Sequence, residues 1–435
     1  MNRYGTENKT ENKVFWIWLS LACGVASKEF GRLVSHFDDA YDLYAMSEEE
    51  IEGIDGIGER LKLRLSDKNM EEAEKILEDC RKSGVTVLTY ADKAYPPKLR
   101  LIEDPPVVLY VQGQISGLES HPSIGVVGTR KMSEYGRKTA FSLSYELALA
   151  GVVIVSGLAL GVDGVAACGA LAAKGNTIAV LGCGVLVDYP KAHRKLKSEI
   201  IRTGAVISEY PPYAPAIPRN FPTRNRIISG ICHGTLLIEG AQKSGSMITA
   251  RLAIAQGRQL FAVPGKLGDV NSEGPNLLIR EGAYPALEST DIIKHYEFLY
   301  RENLDLRALR TMRAPECDET LRRFGVPTDY EDGKRGGRSF CEKVRVTPKP
   351  TNEQKKTVPT PTSVPTPPPT PTTAPSVPLS PLEQSVLSRM PMDRPIAPDA
   401  LCADGCGIGE ILTALTMLEL YGLVSSLPGG LYTRK

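Results

Sequence analysis

GVVIVSGLALGVDGVAACGALAAKGNTIAVLGCGVLVDYP, residues 151–190, joins two short apolar runs through a segment of helical length. The runs Val152–Ser156 and Thr177–Leu181 are rich in valine and isoleucine, as is typical of strands that are buried on both faces. Val162–Lys174, between them, is long enough to form a crossover helix. This strand–helix–strand order predicts two neighbouring parallel strands of an α/β sheet.

The same unit recurs on both sides of this stretch. Further candidate strands and helices alternate along the chain, namely Ile124–Val127, Ser133–Ala150, Lys191–Arg202, Ala205–Ser208, Thr235–Ile238, Ser246–Gln256 and Gln259–Ala262. The repetition predicts an extended Rossmann-like fold, a doubly wound parallel sheet, over residues 85–300. Val85–Thr89 and Val107–Gln112 are expected to extend that sheet at its entry.

The composition limits the classes of function. With Lys+Arg 52 against Asp+Glu 51, the net charge is +1, so a nucleic-acid role requires a local basic patch. The nine cysteines are scattered, as expected of reduced thiols in a cytoplasmic protein, and Cys402 and Cys406 lack the second pair of a zinc site. The apolar run Val14–Val25 is too short to span a membrane and predicts a core helix.

Additional domains are expected on both sides of the sheet. Residues 1–13 are polar and are expected to be disordered, whereas residues 14–84 show helical periodicity. Within them, IEGIDGIGERLKLRL (Ile51–Leu65) is typical of a helix-hairpin-helix, or SAM-like, domain. The backbone of Gly56–Gly58 either binds a phosphate at a helix N-terminus or forms a tight turn between packed helices.

The carboxyl-terminal part divides into a tether and a small domain. Residues 301–380 end in a Pro/Thr-rich tract, which predicts an extended linker. Residues 381–435 have the helix, helix and hairpin order of a winged-helix domain. Its candidate recognition helix, Ile408–Glu419, has only acidic charges, which favours contact with protein or self-association over contact with phosphate.

The loops that follow the strands contain the candidate site, because ligands of open parallel sheets bind at the carboxyl ends of the strands. Ser133 and Asp163 are expected to cap the helices that begin beside them. The loop Pro218–Gly230 combines arginines with an aromatic ring, which suits an unpaired nucleic-acid strand, although solvated arginines explain it equally well. The candidate binding residues are Gly128, Thr129, Arg130, Ser156, Gly157, Arg219, Phe221, Arg224, Asn225, Arg226, Ser244, Gly245 and Ser246.

Several catalytic classes lack their motifs. The sequence contains no Walker A motif, and the loop after the first parallel strand is not GxGxxG. The five histidines show neither metal-ligand spacing nor an adjacent nucleophile. A related Rossmann-like group cleaves nucleoside monophosphates with a PGGxGTxxE loop, whereas His233–Glu239 here reads HGTLLIE, without that spacing. We therefore expect a protein without an enzymatic step, a cofactor or a metal.

Taken together, the loops resemble the DprA/Smf family of bacterial DNA-processing proteins. The segments that carry the resemblance are VVGTR (Val126–Arg130), SGLALGVD (Ser156–Asp163), AVLGCGVLVDYP (Ala179–Pro190), SEYPP (Ser208–Pro212), FPTRNRIISG (Phe221–Gly230), EGAQKSGSMITA (Glu239–Ala250), VPG (Val263–Gly265) and GPNLLIREGA (Gly274–Ala283). The chain departs from the expected pattern at His193, where asparagine is more usual, and in its long Pro/Thr tract.

The resemblance implies a function in natural transformation and homologous recombination. Such proteins bind single-stranded DNA in a basic pocket, form homodimers, protect incoming strands and load the RecA recombinase. By position, Arg130 and the backbone of Gly128–Thr129 would hold a phosphate, and Phe221 would stack on a base. Residues 219–226 would supply further cations, and Ser156, Gly157 and Ser244–Ser246 would line the floor of the pocket.

Overall fold

The computed structural model describes residues 12–115, 117–328, 380–391, 396–401, 411, 414–415, 418–419, 423–427 and 431–434. The chain forms two compact units, Met1–Phe340 and Cys341–Lys435. The expected disorder of residues 1–13 falls almost entirely outside the described residues, as do most of the linker and most of the candidate recognition helix.

A nine-stranded sheet forms the centre of the first unit. Its spatial order is β1-β2-β6-β5-β4-β3-β7-β8-β9. The strands are β1 (Thr86–Thr89), β2 (Val108–Gly113), β3 (Ser123–Val127), β4 (Val153–Ser156), β5 (Thr177–Val180), β6 (Ala205–Ser208), β7 (Gly234–Leu237), β8 (Gln259–Ala262) and β9 (Tyr284–Pro285).

Helices precede, connect and follow these strands. In chain order they are α1 (Lys13–Cys23), α2 (Lys28–Leu33), α3 (Ala40–Ala45), α4 (Glu48–Glu52), α5 (Glu59–Ser66), α6 (Glu71–Lys82), α7 (Pro97–Arg100), α8 (Glu134–Leu149), α9 (Val162–Ala172), α10 (Arg194–Thr203), α11 (Asn220–Ile231), α12 (Gly245–Ala255), α13 (Val270–Arg280), α14 (Ser289–Ile293), α15 (Ala308–Thr311) and α16 (Cys317–Phe324).

The doubly wound α/β fold expected from the sequence is confirmed. Strands β3 to β9 pair in parallel, in registers such as Ile124 opposite Ile154 and Gly234. The entry strands β1 and β2 pair antiparallel, and β2 joins the sheet against β6. The chain runs outward from β3 in one direction through β4, β5 and β6, and then returns to start β7 on the other side of β3.

Two hydrophobic layers cover the sheet. One contains buried residues of α8, α9 and α10, and the other contains buried residues of α7, α11, α12 and α13. The amino-terminal helices share the first layer, since Phe15 and Trp18 belong to the same buried cluster as Tyr110 of β2 and Phe141 of α8. The helical region therefore packs directly on the sheet.

Two segments differ from the expectation. Residues 220–231, interpreted as a strand-end loop, form helix α11. Residues 308–311 and 317–324 lie in the expected linker but form α15 and α16, and Leu321 and Phe324 of α16 are buried in the first layer. Apolar burial of α16 therefore keeps the start of the expected linker folded on the sheet.

The second unit has a small core of its own. Helix α17 (Pro381–Arg389) begins with a capping box, in which Ser380 and Glu383 satisfy each other's backbone N–H groups. Strands β10 (Val424–Leu427) and β11 (Leu431–Arg434) form an antiparallel hairpin. Val386, Met390 and Leu415 contribute to the buried cluster.

Candidate nucleic-acid interface

A cavity opens at the carboxyl ends of β3, β4 and β5, where the loop residues after each strand meet. The volume of this cavity is about 40 Å³. Its walls are mostly apolar, and its lining residues are Arg130, Gly157, Ala159, Leu160, Leu181, Gly182, Cys183, Tyr189, Pro190 and Phe221. The structure thus brings together three of the predicted binding residues, namely Arg130, Gly157 and Phe221.

At this cavity, the Phe221 ring contacts both a cation and a second aromatic ring. The guanidinium carbon of Arg130 lies 5.8 Å from the centre of the Phe221 ring, within the range of a cation–π contact. On α11, Phe221 also contacts Tyr189, with ring centres 5.2 Å apart and planes tilted by 32°. A side chain at Gly182 would place its Cβ only 2.9 Å from Phe221, so glycine is needed for this ring to enter the cavity.

The Gly157–Leu160 turn of the cavity wall is held by buried polar side chains. Asp163 accepts hydrogen bonds from the N–H groups of Gly157 (3.1 Å) and Ala159 (3.4 Å), and it therefore binds this turn instead of capping its own helix. Arg224 donates to the carbonyl oxygens of Gly157 (2.9 Å) and Val180. Burial lowers the pKa of Arg224 to about 10, with Asp163 opposing the shift, so that the guanidinium stays charged at neutral pH.

The start of α8 binds one of the protein's own carboxylates. Ser133 caps α8 as expected, by accepting from the N–H of Gly136. The Glu239 carboxylate accepts from the N–H of Ser133 (2.9 Å) and from its hydroxyl. The N–H of Thr129 donates to the Glu239 carbonyl (2.8 Å). Glu239 thus links the loop after β7 to the loop after β3, and it is absent from the cavity lining.

Arg226 does not lie with the cavity. It is 3% exposed and forms ion pairs with Glu209 (2.8 Å) and Asp104 (3.0 Å). Arg224, although it is next to the cavity wall, is 4% exposed and is absent from the lining. Arg219, by contrast, is exposed immediately before α11. Of the three arginines on this segment, only Arg219 has the accessibility that was expected of all of them.

The other predicted residues line no part of the cavity. Ser156 is 2% exposed at the end of β4, and Gly128 is needed for packing, because a Cβ there would lie 2.6 Å from Val162. Ser244 caps α12, and its hydroxyl contacts that of Ser246 (2.8 Å). Gly245 is exposed, and its carbonyl accepts a hydrogen bond from Asn225 (3.3 Å). Asn225, Ser244, Gly245 and Ser246 thus form a separate cluster at the carboxyl end of β7.

Comparison with known proteins assigns the family. The family described as DNA recombination-mediator protein A matches residues 86–297, and the DprA winged helix domain matches residues 367–430. Protein Smf of Synechocystis is 30% identical over 428 residues, which cover 97% of this chain and 99% of that protein. The chain belongs to the DprA/Smf family.

Two further DprA/Smf proteins show how far the likeness extends. Protein Smf of Escherichia coli is 44% identical over 205 residues, and the match covers 47% of this chain but only 54% of that protein. The X-ray structure of DNA processing protein A from Streptococcus pneumoniae matches with a TM-score of 0.57 and 32% identity, covering 65% of this chain and 97% of the other. The winged-helix assignment of the second unit is confirmed by the matched domain.

Several exposed cations lie next to the cavity lining of this DprA/Smf chain in the sequence. Arg130 lines the cavity, Lys131 follows it directly, Lys191 follows the lining residue Pro190, and Arg219 precedes Phe221 by two positions. All four cations are exposed, and none of them forms an ion pair with another residue of the described ranges. Among the described residues, Arg130 is thus a cation without an ion-pair partner at the cavity of a chain whose net charge is only +1.

The Gly56–Gly58 turn, predicted to belong to a helix-hairpin-helix, binds a carboxylate of the same chain. The N–H of Gly58 at the start of α5 donates to a carboxylate oxygen of Glu29 (2.6 Å), and Arg32 binds the Gly56 carbonyl (3.3 Å). Of the two interpretations of this turn, these contacts favour packed helices over a phosphate site, because the orphan donor is already satisfied.

Sequence reasoning missed Tyr189, Glu239 and His193 as parts of the site. The DYP triplet signalled a strand-end turn, but nothing local indicated that Tyr189 would meet Phe221. His193 is buried and donates through Nδ1 to the carbonyl of Leu158 (3.0 Å), and burial lowers its pKa. In the described part of the chain, no cluster of potential metal ligands forms and no helix is long and apolar enough to cross a membrane.

Proposed function

We propose that this chain binds single-stranded DNA at the cavity of Arg130, Phe221 and Tyr189. The observation that carries the proposal is the contact of the Phe221 ring with both the Arg130 guanidinium and the Tyr189 ring, beside further exposed cations in the neighbouring sequence. Cations that follow a sugar–phosphate chain and rings that stack on bases are the two components that sequence-tolerant single-strand binding requires. The family's description as a DNA recombination mediator agrees with this ligand.

The recessed position of Phe221 favours an unpaired strand over a duplex. Phe221 is partly buried among the cavity walls, so a base must leave its stack to reach the ring. Bases of a single strand do so at low cost, whereas a base pair would first have to open. We therefore expect tight binding to oligo-dT and weaker binding to duplex DNA of the same length.

We propose that the DNA role includes no enzymatic step. Burial raises the pKa of the Cys183 thiol, so this cavity residue stays protonated and is a poor nucleophile. Glu239, the acid nearest to the motif of the nucleoside-monophosphate-cleaving group, is 2% exposed and bound to Ser133. Incubation with AMP is expected to release no adenine, and release of adenine would contradict this part of the proposal.

The wider biological role is proposed from the family. We infer that the chain forms homodimers in the cytoplasm, protects incoming strands and loads RecA during transformation and recombination, with the winged helix contacting protein. Two DNA sites in one dimer would raise the avidity for a long strand through effective concentration. The limits 14–84 and 381–435 remain our proposal for the outer domains, whereas the sheet domain that starts at residue 85 continues through α16, so that the proposed linker begins after α16.

The direct test reverses one charge in the cavity. Arg130→Glu is expected to weaken binding to oligo-dT by about 10-fold or more, because a charge-assisted phosphate contact is replaced by repulsion. The matched control is Arg301→Glu, an exposed arginine next to Tyr300, which contacts His233 at the opposite edge of the sheet. Gel shifts over several salt concentrations measure both variants. Equal binding by Arg130→Glu and the unmodified chain would refute the site.

A further inference from the structure

The turn Gly157–Leu160 forms one wall of the cavity and has an unfavourable backbone conformation at Leu158. Gly157, Ala159 and Leu160 line the cavity, whereas Leu158 points into the core with 1% exposure. Leu158 has a φ of 55°, in the left-handed region that residues with a side chain rarely adopt. The shape of this wall therefore depends on contacts from other elements.

Three elements supply those contacts. Asp163 of α9 binds the N–H groups of Gly157 and Ala159. Arg224 of α11 binds the carbonyl of Gly157, and His193, just before α10, binds the carbonyl of Leu158. The peptide groups at both ends of the strained residue are thus held by buried side chains.

The packing around Gly157 leaves no space for a side chain at this position. A Cβ at Gly157 would lie 2.5 Å from Nη2 of Arg224 and 2.7 Å from a carboxylate oxygen of Asp163. Arg224 also spans from β4 to β5, since the same Nη1 reaches the Val180 carbonyl. A single guanidinium nitrogen of Arg224 therefore bridges backbone oxygens at two strand ends.

We propose that Arg224 is a positioning residue of the DNA site: it shapes the Gly157–Leu160 wall and does not neutralise a phosphate. The inference rests on the proposed function for its consequence in binding, but the held turn is a property of the free protein. Arg224 and the exposed Arg219 are thus assigned different roles, although five positions separate them in the chain.

Salt dependence distinguishes the two roles. Each phosphate contact on a single strand contributes about 0.7 to the slope of log K against log salt concentration. Arg219→Gln is expected to reduce the slope by about that amount. Arg224→Gln is expected to weaken oligo-dT binding by about 10-fold with an unchanged slope, because it deforms the wall without removing a phosphate contact. A reduced slope for Arg224→Gln would overturn the proposal.

Hydrogen exchange of the free, full-length protein tests the turn without DNA. A peptide covering residues 156–161 is expected to exchange faster in Arg224→Gln than in the unmodified chain, and to be unchanged in Arg219→Gln. If the unmodified chain fails to bind oligo-dT, the proposed function is wrong, and this exchange result alone decides the role of Arg224. Unchanged hydrogen exchange over residues 156–161 in Arg224→Gln would overturn the positioning role of Arg224.

A charge-preserving variant covers the case in which Arg224→Gln does not fold. Arg224→Lys retains the positive charge but replaces the planar guanidinium, whose Nη1 reaches both carbonyl groups, with a compact ammonium on a flexible stem. It is expected to lose oligo-dT affinity and to show faster exchange over residues 156–161. Affinity and exchange equal to those of the unmodified chain would show that charge alone suffices, and would contradict positioning.

Discussion

Removal of the Phe221 ring separates stacking from charge at the proposed DNA site. Phe221→Ala deletes the ring that contacts both Arg130 and Tyr189 but removes no cation. Stacking of one base on an aromatic side chain contributes about 1–3 kcal/mol, which corresponds to about 5- to 150-fold in affinity. We therefore expect oligo-dT binding to weaken within that range, whereas the salt slope stays unchanged.

The assay is a fluorescence titration with labelled oligo-dT at four or more salt concentrations, with the melting temperature of each variant recorded in parallel. Phe298→Ala is the matched control, because Phe298 is 93% exposed and follows Tyr296, which packs at the amino end of β7. It is expected to bind like the unmodified chain. Unchanged affinity in Phe221→Ala, or an equal loss in both variants, would refute stacking at this ring.

Three further predictions concern buried polar groups. Glu239→Gln removes the charge at the start of α8 and should lower the free energy of unfolding by about 2 kcal/mol in urea titrations. Arg226→Gln leaves Glu209 unpaired and should cost about 3–5 kcal/mol, with no change in the salt slope of DNA binding. Burial lowers the pKa of His233 to about 3, so His233 binds a proton more readily in the unfolded chain than in the folded chain. Stability should therefore fall by about 2 kcal/mol between pH 8 and pH 5, and His233→Gln should abolish that part of the fall.

Each of these three has a result that would contradict it. Glu239→Gln with unchanged stability would mean that water replaces the carboxylate at the helix terminus. A shallower salt slope in Arg226→Gln would place this side chain on the DNA after all. An identical loss of stability at pH 5 in His233→Gln and the unmodified chain would show that other groups take up the protons.

The sheet and the location of the site follow from local patterns. Short valine- and isoleucine-rich runs can be stable only when both faces are covered, so the alternation with helical segments predicts the parallel sheet. Parallel strands all end at one edge, which is why loops far apart in the chain were expected to meet there. Arg130, Gly157 and Phe221 meet at the cavity for this reason.

Only the tertiary structure decided which polar groups face that edge. Because residues 220–231 are helical, Arg224 and Arg226 project about 200° apart, and they bind Gly157 and Glu209 on different sides of α11. Glu239, which binds at the start of α8, lies 106 positions from Ser133 in the chain. Glu29, which binds at the start of α5, lies 29 positions from Gly58. Pairings at such separations depend on how elements pack, and neither composition nor periodicity contains that information.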